Sequence, residues 1–326
     1  METRGCRTWV KKHGTCIAVV LLAMCMLLPL HAVAAESGAV NYPAGSPGTL
    51  VGEFPSIPGL FGVSQTSYTT SKGLYDNDGD KINDFEMDAW AETFRLVASY
   101  PTKFLGANLY SQLVIPVVKL ENSLTVSTPG GPFEVFDDSD SGLGNIIISP
   151  LIMNWHKPDS NSYYTIGLDI ATTWGASYDA DKPVNVATGY SSFIPVLAYR
   201  YDVPNGIDLG VRASYLINQE NSDTDYDSGD MLCLDLFGGW NFGKWQVGIT
   251  GGYTQQLTDD EQNGNEIDNH RMKLLQLGPS ITYMNGPMII EVNYQKGLLA
   301  ENTSKNDSFW LNFTLPLYVP GMGGRH

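Results

Sequence analysis

The sequence predicts an all-β protein, a transmembrane antiparallel β-barrel of about twelve strands with up-and-down topology. Three observations lead to this fold class. Segments of strand length alternate apolar and polar residues, the connections between them are short and long in turn, and an export signal precedes them. After residue 30 no apolar run approaches the roughly 18 to 20 residues of a spanning helix. A membrane form of the mature chain would therefore be a closed barrel, because lipid leaves no water for unpaired backbone groups.

Residues 1–35 have the layout of a secretory signal peptide. Four basic residues precede an apolar run over 15–30, and the small-residue triplet "AVA" at 32–34 follows. We expect cleavage near Ala34 or Ala35. An uncleaved membrane anchor is the alternative.

The composition excludes several classes of protein. Three of the four cysteines lie in the leader, and the remaining Cys233 leaves no internal disulfide framework. The whole chain has a formal net charge of −16, and loss of the leader, which carries four basic residues and one acidic residue, makes it more negative. Such a surface repels phosphate backbones, so we expect no nucleic-acid partner.

Twelve segments of the remaining chain have strand-like patterns. They lie at 58–70, 85–100, 105–118, 142–155, 162–176, 189–202, 206–218, 230–241, 244–257, 270–284, 287–298 and 308–318. The short connections between them are rich in Gly, Asn and Pro, as tight turns require. The long connections hold most of the acidic residues. An even number of strands with short turns on one side and long loops on the other is typical of outer-membrane barrels.

The stretch "KWQVGITGGYTQQL" at 244–257 illustrates the alternation. Trp245, Val247 and Ile249 fall on one face of a strand, and Gln246 and Thr250 on the other. The polar faces of the strands are rich in Gly, Ser, Thr and Asn, which suits a lumen, and aromatic residues lie towards strand ends, as in a membrane girdle. We therefore expect the apolar face to contact lipid. In the alternative, a secreted soluble β-protein, it would form the core.

The same parity predicts a set of charged residues that point into the lumen. They are Asp169, Arg200, Asp208, Arg212, Asp235 and Glu291, with Glu92 added from a strand that carries polar groups on both faces. Charges of both signs inside a barrel can define a constriction and its selectivity. They can also pair with one another and brace the wall. With twelve strands, either arrangement leaves a narrow pore for small solutes.

The barrel is expected to be preceded and followed by segments without a strand pattern. Residues 36–57 are rich in Pro and Gly and either plug the lumen or form a periplasmic tail. The barrel itself is expected over 58–318, with a tail at 319–326.

The stretch "DNDGDKIND" at 76–84 resembles a calcium-binding loop. Alternating carboxylates supply oxygen ligands to a hard cation, and the candidate ligands are Asp76, Asp78, Asp80 and Asp84. Lys81 stands where such a loop normally has glycine, so a solvated acidic loop is the alternative. We expect no other cofactor.

Catalysis is not expected. The mature chain has only three histidines, at 156, 270 and 326, and none has a neighbouring nucleophile in the sequence. Zinc-ligand spacing and phosphate-binding loops are absent from the sequence as well. We interpret the protein as a non-enzyme.

Four stretches resemble a known family. They are "GEFPSIPGLFGVSQTSYTT" at 52–70, "WAETFRLV" at 90–97, "GLGNIIISPLIMNWH" at 142–156 and "FWLNFTLPL" at 309–317. Over roughly residues 48–317 the chain is similar to the phenol meta-pathway degradation-like (MetA-pathway) outer-membrane β-barrel transporters. The resemblance implies a porin-like channel for hydrophobic or aromatic compounds, often linked with aromatic catabolism. One departure is the extension "YVPGMGGRH" after the last strand.

These observations lead to a functional hypothesis. We expect a passive channel for small hydrophobic or aromatic solutes in the outer membrane of a Gram-negative bacterium. Its partners would be membrane lipids, lipopolysaccharide whose bridging cations the acidic loops would face, and the barrel-assembly machinery. A general small-solute porin and a non-conducting structural or adhesion barrel are the alternatives.

Overall fold

The computed structural model describes residues 34–157 and 160–321. The expected leader up to residue 33 and the last five residues of the expected tail lie outside the described residues. Within the described part, no helix is long and apolar enough to cross a membrane.

The described residues form sixteen β-strands. They are β1 (Gly59–Tyr75), β2 (Lys81–Phe104), β3 (Ala107–Thr128), β4 (Gly131–Leu143), β5 (Ile146–Lys157), β6 (Ser162–Thr172), β7 (Ser192–Asp202), β8 (Ile207–Asn218), β9 (Tyr226–Asp227), β10 (Met231–Phe242), β11 (Trp245–Gln256), β12 (Asp260–Gln262), β13 (Asn265–Ile267), β14 (Lys273–Asn285), β15 (Met288–Glu301) and β16 (Thr303–Tyr318). All except β4, β9, β12 and β13 build the barrel wall. The predicted twelve-stranded barrel is confirmed.

The barrel closes because its first and last strands pair. Each wall strand is antiparallel to the next, and β1 pairs with β16, with Thr66 opposite Leu311. Short turns follow β2, β5, β7, β10 and β14, and we call that side the turn end. The opposite side, with the connections after β1, β3, β6, β8, β11 and β15, is the loop end.

The connections at the loop end differ from the prediction in three places. Residues 119–141, expected as a loop, belong mostly to β3 and β4, because β4 pairs with the second half of β3 (Glu121 opposite Ser139) while β5 pairs with its first half. The expected loops at 71–84 and 299–307 shrink to turns at 76–80 and Asn302. The acidic residues predicted loops at these positions. Backbone hydrogen bonds, however, also stabilise strands whose side chains are polar and exposed to water.

The apolar face of the wall points outward, as predicted. In β11, Ile249 is 58% exposed, whereas Gln246 is 2% and Thr250 1% exposed. A soluble β-protein would show the reverse. The fold is therefore a transmembrane barrel with a lipid-facing apolar surface and a polar interior.

Aromatic residues on the outer surface lie towards both ends of the barrel. Trp245 and Tyr283 contact each other near the turn end, with ring centroids 4.9 Å apart. Tyr68 and Trp90 form a second pair, 6.3 Å apart, closer to the loop end. Such rings mark the two interfaces between membrane and water.

Candidate functional site

The stretch of residues 36–57, which we call the inner segment, runs inside the barrel. At the loop end the preceding residue, Ala35, donates its backbone N–H to Asp260 Oδ2 at 2.8 Å. At the turn end the Pro55 carbonyl accepts the Tyr110 hydroxyl at 2.9 Å. Between these points the segment crosses the length of the lumen before β1 begins. Pro and Gly suit it to this path, since it forms no strand and its backbone groups bond to wall side chains instead.

Arg212 stands at the centre of the first charged group in the lumen. Its guanidinium lies 2.6 Å from Asp169 Oδ2 and 3.1 Å from Asp235 Oδ2. Asp235 also accepts the Tyr42 hydroxyl and the Gly45 N–H, both at 2.6 Å. Three strands of the wall and the inner segment are thereby joined through one buried ion-pair network.

Arg200 forms a second group nearer the turn end. It lies 2.7 Å from Asp208 Oδ2 and 3.1 Å from Glu53 Oε2, which belongs to the inner segment. It also donates to the backbone carbonyls of Thr49 at 2.7 Å and Val51 at 3.2 Å. A single side chain thus neutralises two carboxylates and satisfies two otherwise unpaired carbonyls.

Glu291 forms a third group, without an arginine. Its carboxylate accepts the Thr49 N–H at 3.0 Å and the side-chain amides of Asn293 and Asn312 at 2.8 and 3.1 Å. A β-carbon on neighbouring Gly48, whose φ is +59°, would overlap the Glu291 carboxylate. Glycine is required here by both backbone conformation and space.

Six of the seven charged residues expected in the lumen therefore do face it. They pair with one another or with the inner segment, so their contacts are those of bracing and anchoring. A direct role in selectivity stays a prediction.

Glu92 is the exception, and its expected inward orientation is wrong. It projects from the outer face of β2 and accepts the hydroxyls of Ser64 and Thr66, each at 2.5 Å. Its neighbours Ala91 and Thr93 line the interior instead. Because both faces of β2 carry polar residues, the sequence did not define which parity faces the lumen.

A cavity of about 840 Å³ lies between the inner segment and the wall, and every wall strand except β10 contributes residues to its lining. It is bounded by Thr188 and Asn306 at the loop end and by Ile57 and Pro287 at the turn end. Its apolar lining includes Phe54, Phe61, Val63, Val97, Val114 and Ile147. The lining is mixed, because Arg95, Asp169, Arg200 and Arg212 border the same cavity.

Arg95 lines this cavity, and the sequence analysis missed it. Its guanidinium donates to the amide oxygens of Gln65 at 3.4 Å and Gln112 at 2.7 Å. Among the described residues it has no carboxylate within ion-pair distance, and its buried Nε has no acceptor. Arg95 lies on the same face of β2 as Thr93 and Val97. If that face had been assigned to the lumen, the sequence would have identified Arg95.

Two of the four aspartates expected to bind calcium, Asp76 and Asp84, are engaged in other contacts. Asp76 Oδ1 accepts the backbone N–H groups of Asp78 and Asp80, at 3.0 and 2.9 Å, and so caps the turn. Asp84 forms an exposed ion pair with Lys81 at 3.0 Å. In the described ranges no three His, Cys, Asp or Glu side chains are arranged to hold a metal ion. A calcium site here stays a prediction, which this geometry does not support.

Comparison with known proteins identifies similar sequences and folds. The family model described as "Putative MetA-pathway of phenol degradation" matches residues 71–313. The COG4313 outer membrane channel from Pseudomonas putida F1 is 15% identical with a TM-score of 0.70, covering 82% of this chain and 98% of that one. The transport unit of the autotransporter AIDA-I from Escherichia coli is 8% identical with a TM-score of 0.45, covering 83% and 98%. No curated protein matches.

The family match covers most of the wall, from the end of β1 to the middle of β16. The likeness to the Pseudomonas putida structure shows a shared barrel fold at low sequence identity. The resemblance inferred from the four sequence stretches is confirmed, and the chain belongs to the family described as the MetA-pathway of phenol degradation.

Proposed function

We propose that this protein is a passive channel in the outer membrane of a Gram-negative bacterium for small hydrophobic or aromatic solutes. The cavity beside the inner segment carries the proposal. It borders residues of both barrel ends and is lined largely by apolar side chains. An apolar solute that leaves water for such a surface gains free energy in proportion to the apolar area it buries.

The contacts of the inner segment support the same proposal. Arg200, Asp235 and Glu291 anchor this segment to the wall. The space that remains beside it is lined more by apolar than by polar atoms, with Val63, Val114 and Ile147 among the lining residues. A general porin would need a wider, water-filled lumen.

Arg95 is the one arginine of this cavity lining that has no ion pair among the described residues, since Arg200 and Arg212 are paired with carboxylates. A guanidinium has five N–H donors, and two contacts to glutamine oxygens leave others unused. An aromatic molecule with a hydroxyl, carbonyl or carboxylate oxygen would place its ring on the apolar lining and its oxygen at Arg95. The proposed solutes are therefore apolar bodies with one acceptor group.

The surroundings of the barrel follow from its surface. Lipid acyl chains would cover the apolar belt, and the acidic residues at the loop end would contact the divalent cations of lipopolysaccharide. Export by the leader and insertion by the barrel-assembly machinery complete this proposal. Solutes would cross by diffusion, and no covalent bond would be formed or broken.

Conductance across a planar bilayer tests the channel. The refolded chain, shown to be folded by its heat-dependent mobility in a gel, would be recorded with and without benzyl alcohol. We expect small, steady openings whose current falls as benzyl alcohol occupies the cavity. Large openings that benzyl alcohol leaves unchanged would favour a general porin. A folded barrel that never conducts would contradict transport and favour a structural or adhesion role.

A further inference from the structure

A buried carboxylate at the loop end binds the chain just before the inner segment. Asp260, in the connection between β11 and β14, accepts the Ala35 N–H, the Tyr226 hydroxyl and His270 Nδ1 on one oxygen, at 2.8, 2.7 and 2.7 Å. Its other oxygen accepts the Gly229 N–H at 2.8 Å and the Gln256 amide at 2.7 Å. Five donors from four parts of the chain converge on this one side chain.

The next residue, Glu36, is held as completely. Its carboxylate accepts the Thr224 hydroxyl and the Asn221 amide, both at 2.7 Å, and the Tyr178 hydroxyl at 3.1 Å. Its backbone N–H donates to the Ser228 hydroxyl at 3.1 Å. The position of Ala35 beside Asp260 is therefore fixed from both sides of the contact.

The charge balance of this cluster favours an additional cation. Burial, and after it the carboxylates of Glu261, Asp230, Glu220 and Asp260, raise the pKa of Asp227 above its usual value. The guanidinium of Arg271, in the same connection as Asp260, is 2.5 Å from Asp259 and so is already paired. In the described part of the chain, His270 is the one basic side chain within ion-pair distance of Asp260.

We propose that the leader is removed between Ala34 and Ala35, and that Asp260 binds the resulting α-ammonium group. The signal peptidase of the export pathway would hydrolyse this peptide bond with one water. The new carboxylate would leave on Ala34, and the amine of Ala35 would take up a proton. The group that is an amide N–H at 2.8 Å in the uncut chain thereby becomes a charged donor to the same oxygen.

The structure distinguishes between the two cleavage positions that the sequence left open. Cleavage one residue later would put the ammonium on Glu36, whose nitrogen faces the neutral Ser228 hydroxyl. It would also remove one of the three donors to Asp260 Oδ2 and leave that oxygen with the Tyr226 hydroxyl and His270 alone. Cleavage after Ala34 places a positive charge in an acidic cluster. The inner segment is then tethered at both ends, by Asp260 at the loop end and by β1 at the turn end.

The first test is the mass of the protein exported with its own leader and extracted from the outer membrane. We expect a chain that begins at Ala35. A chain that begins at Glu36, or one that retains the leader, would overturn the proposal. This measurement does not depend on whether the barrel conducts.

The second test separates the charge of the amine from its hydrogen bond. The mature chain beginning at Ala35 would be refolded with a free α-amine or with an acetylated one, which keeps an N–H but loses the charge. Each form would be prepared with Asp260 and with Asp260→Asn, and its thermal midpoint measured by the heat-dependent gel shift. Asp268→Asn, at an exposed acid of the same connection, is the matched control.

Acetylation should lower the midpoint in the native and Asp268→Asn chains but have no further effect in Asp260→Asn, because contacting groups are not additive. The free amine should also react with an acylating reagent about fivefold more slowly in the native chain than in Asp260→Asn at pH 8, because a rise of about one unit from an α-amine pKa of about 8 lowers the unprotonated fraction from about one half to about one tenth. Equal effects of acetylation in all three chains would show that the ammonium does not act through Asp260. If Asp260→Asn fails to fold, an unchanged midpoint on acetylation of the native chain would alone overturn the proposal.

Discussion

At the scale of single residues, the interior depends on arginines that serve the wall and the inner segment together. Arg212 pairs with Asp169 and Asp235, and Asp235 in turn binds Tyr42 and Gly45. A buried ion pair of this kind contributes little compared with an apolar pair of the same size, but removal of one partner leaves an uncompensated charge. The residues are therefore more sensitive to single substitution than their net contribution suggests.

The substitution Arg212→Met tests this dependence. It leaves two buried carboxylates without a cation, so we expect the free energy of unfolding in urea to fall by about 3–5 kcal/mol. Conductance or ion selectivity should change as well. Asp235, which binds the Tyr42 hydroxyl, then has no arginine to neutralise its charge. Arg95→Met is the matched control, because it removes an arginine that has no ion pair within the described residues. Equal losses of stability in both variants would contradict the bracing role.

Arg95 leads to a separate prediction about selection among solutes. Benzoate and benzyl alcohol have similar size, but only benzoate carries a charge for the guanidinium to bind. In the native channel benzoate should reduce the current at a lower concentration than benzyl alcohol, and Arg95→Met should abolish this difference. Thr93→Val, at a lumen position on the same strand, should preserve it. A preference for benzoate that survives in Arg95→Met would exclude Arg95 as its source.

At the scale of elements, the inner segment and the wall fit closely at glycines. Gly252 of β11 faces the inner segment, and a β-carbon there would overlap the backbone of Ala44 and Gly45. The alternating pattern of β11 is thus interrupted where another piece of backbone must approach. Gly252 in "KWQVGITGGYTQQL" reflects this contact, which the sequence alone does not reveal.

The substitution Gly252→Val should displace the inner segment from β11. We expect a larger and noisier conductance with little change in the wall, because backbone pairing of β11 with β10 and β14 does not require glycine. Gly243→Asn is the control, since no atom lies within 4 Å of the position of its β-carbon and asparagine accepts a φ of +63°. A native conductance in Gly252→Val would show that the segment does not limit the pathway.

At the scale of the whole molecule, the barrel and its inner segment are two parts with different bonding. The wall is held by backbone pairing between successive strands and by closure of β1 on β16. The inner segment is held by side chains of the wall. We therefore expect the barrel to fold without the inner segment. The position of the inner segment, in contrast, should depend on the side chains of the wall.

Deletion of residues 36–52 tests that prediction. We expect a folded barrel of lower stability and higher conductance, with weak preference for cations. The preference follows because carboxylates outnumber arginines among the inward charged side chains of the wall, which include Asp169, Asp202, Asp208, Asp235, Glu291, Arg95, Arg200 and Arg212. Reversal potentials in a salt gradient measure it. Loss of the folded barrel band in gels would instead show that the segment is part of the folding core.

The sequence by itself determined the wall of this protein. Alternation with a period of two residues defined the twelve strands, and in most of them it also defined the lumen face, because a strand exposes its two faces to different surroundings. The polar residues of the lumen, such as Arg212 and Glu291, followed from that parity. In β2 the rule failed, since both faces are partly polar, and Glu92 was chosen in place of Arg95.

Only the tertiary structure decided what fills the barrel. Gly45 and Asp235 are 190 positions apart in the chain, and Ala35 and Asp260 are 225 apart. No local pattern encodes such contacts, because the inner segment has no regular structure of its own and takes its path from the side chains around it. The extension of β3 and the presence of β4 could not be predicted from the sequence for a related reason. Polar strands become recognisable only when their pairing partners are known. Local periodicity thus determined the wall, and contacts between distant parts of the chain determined its contents.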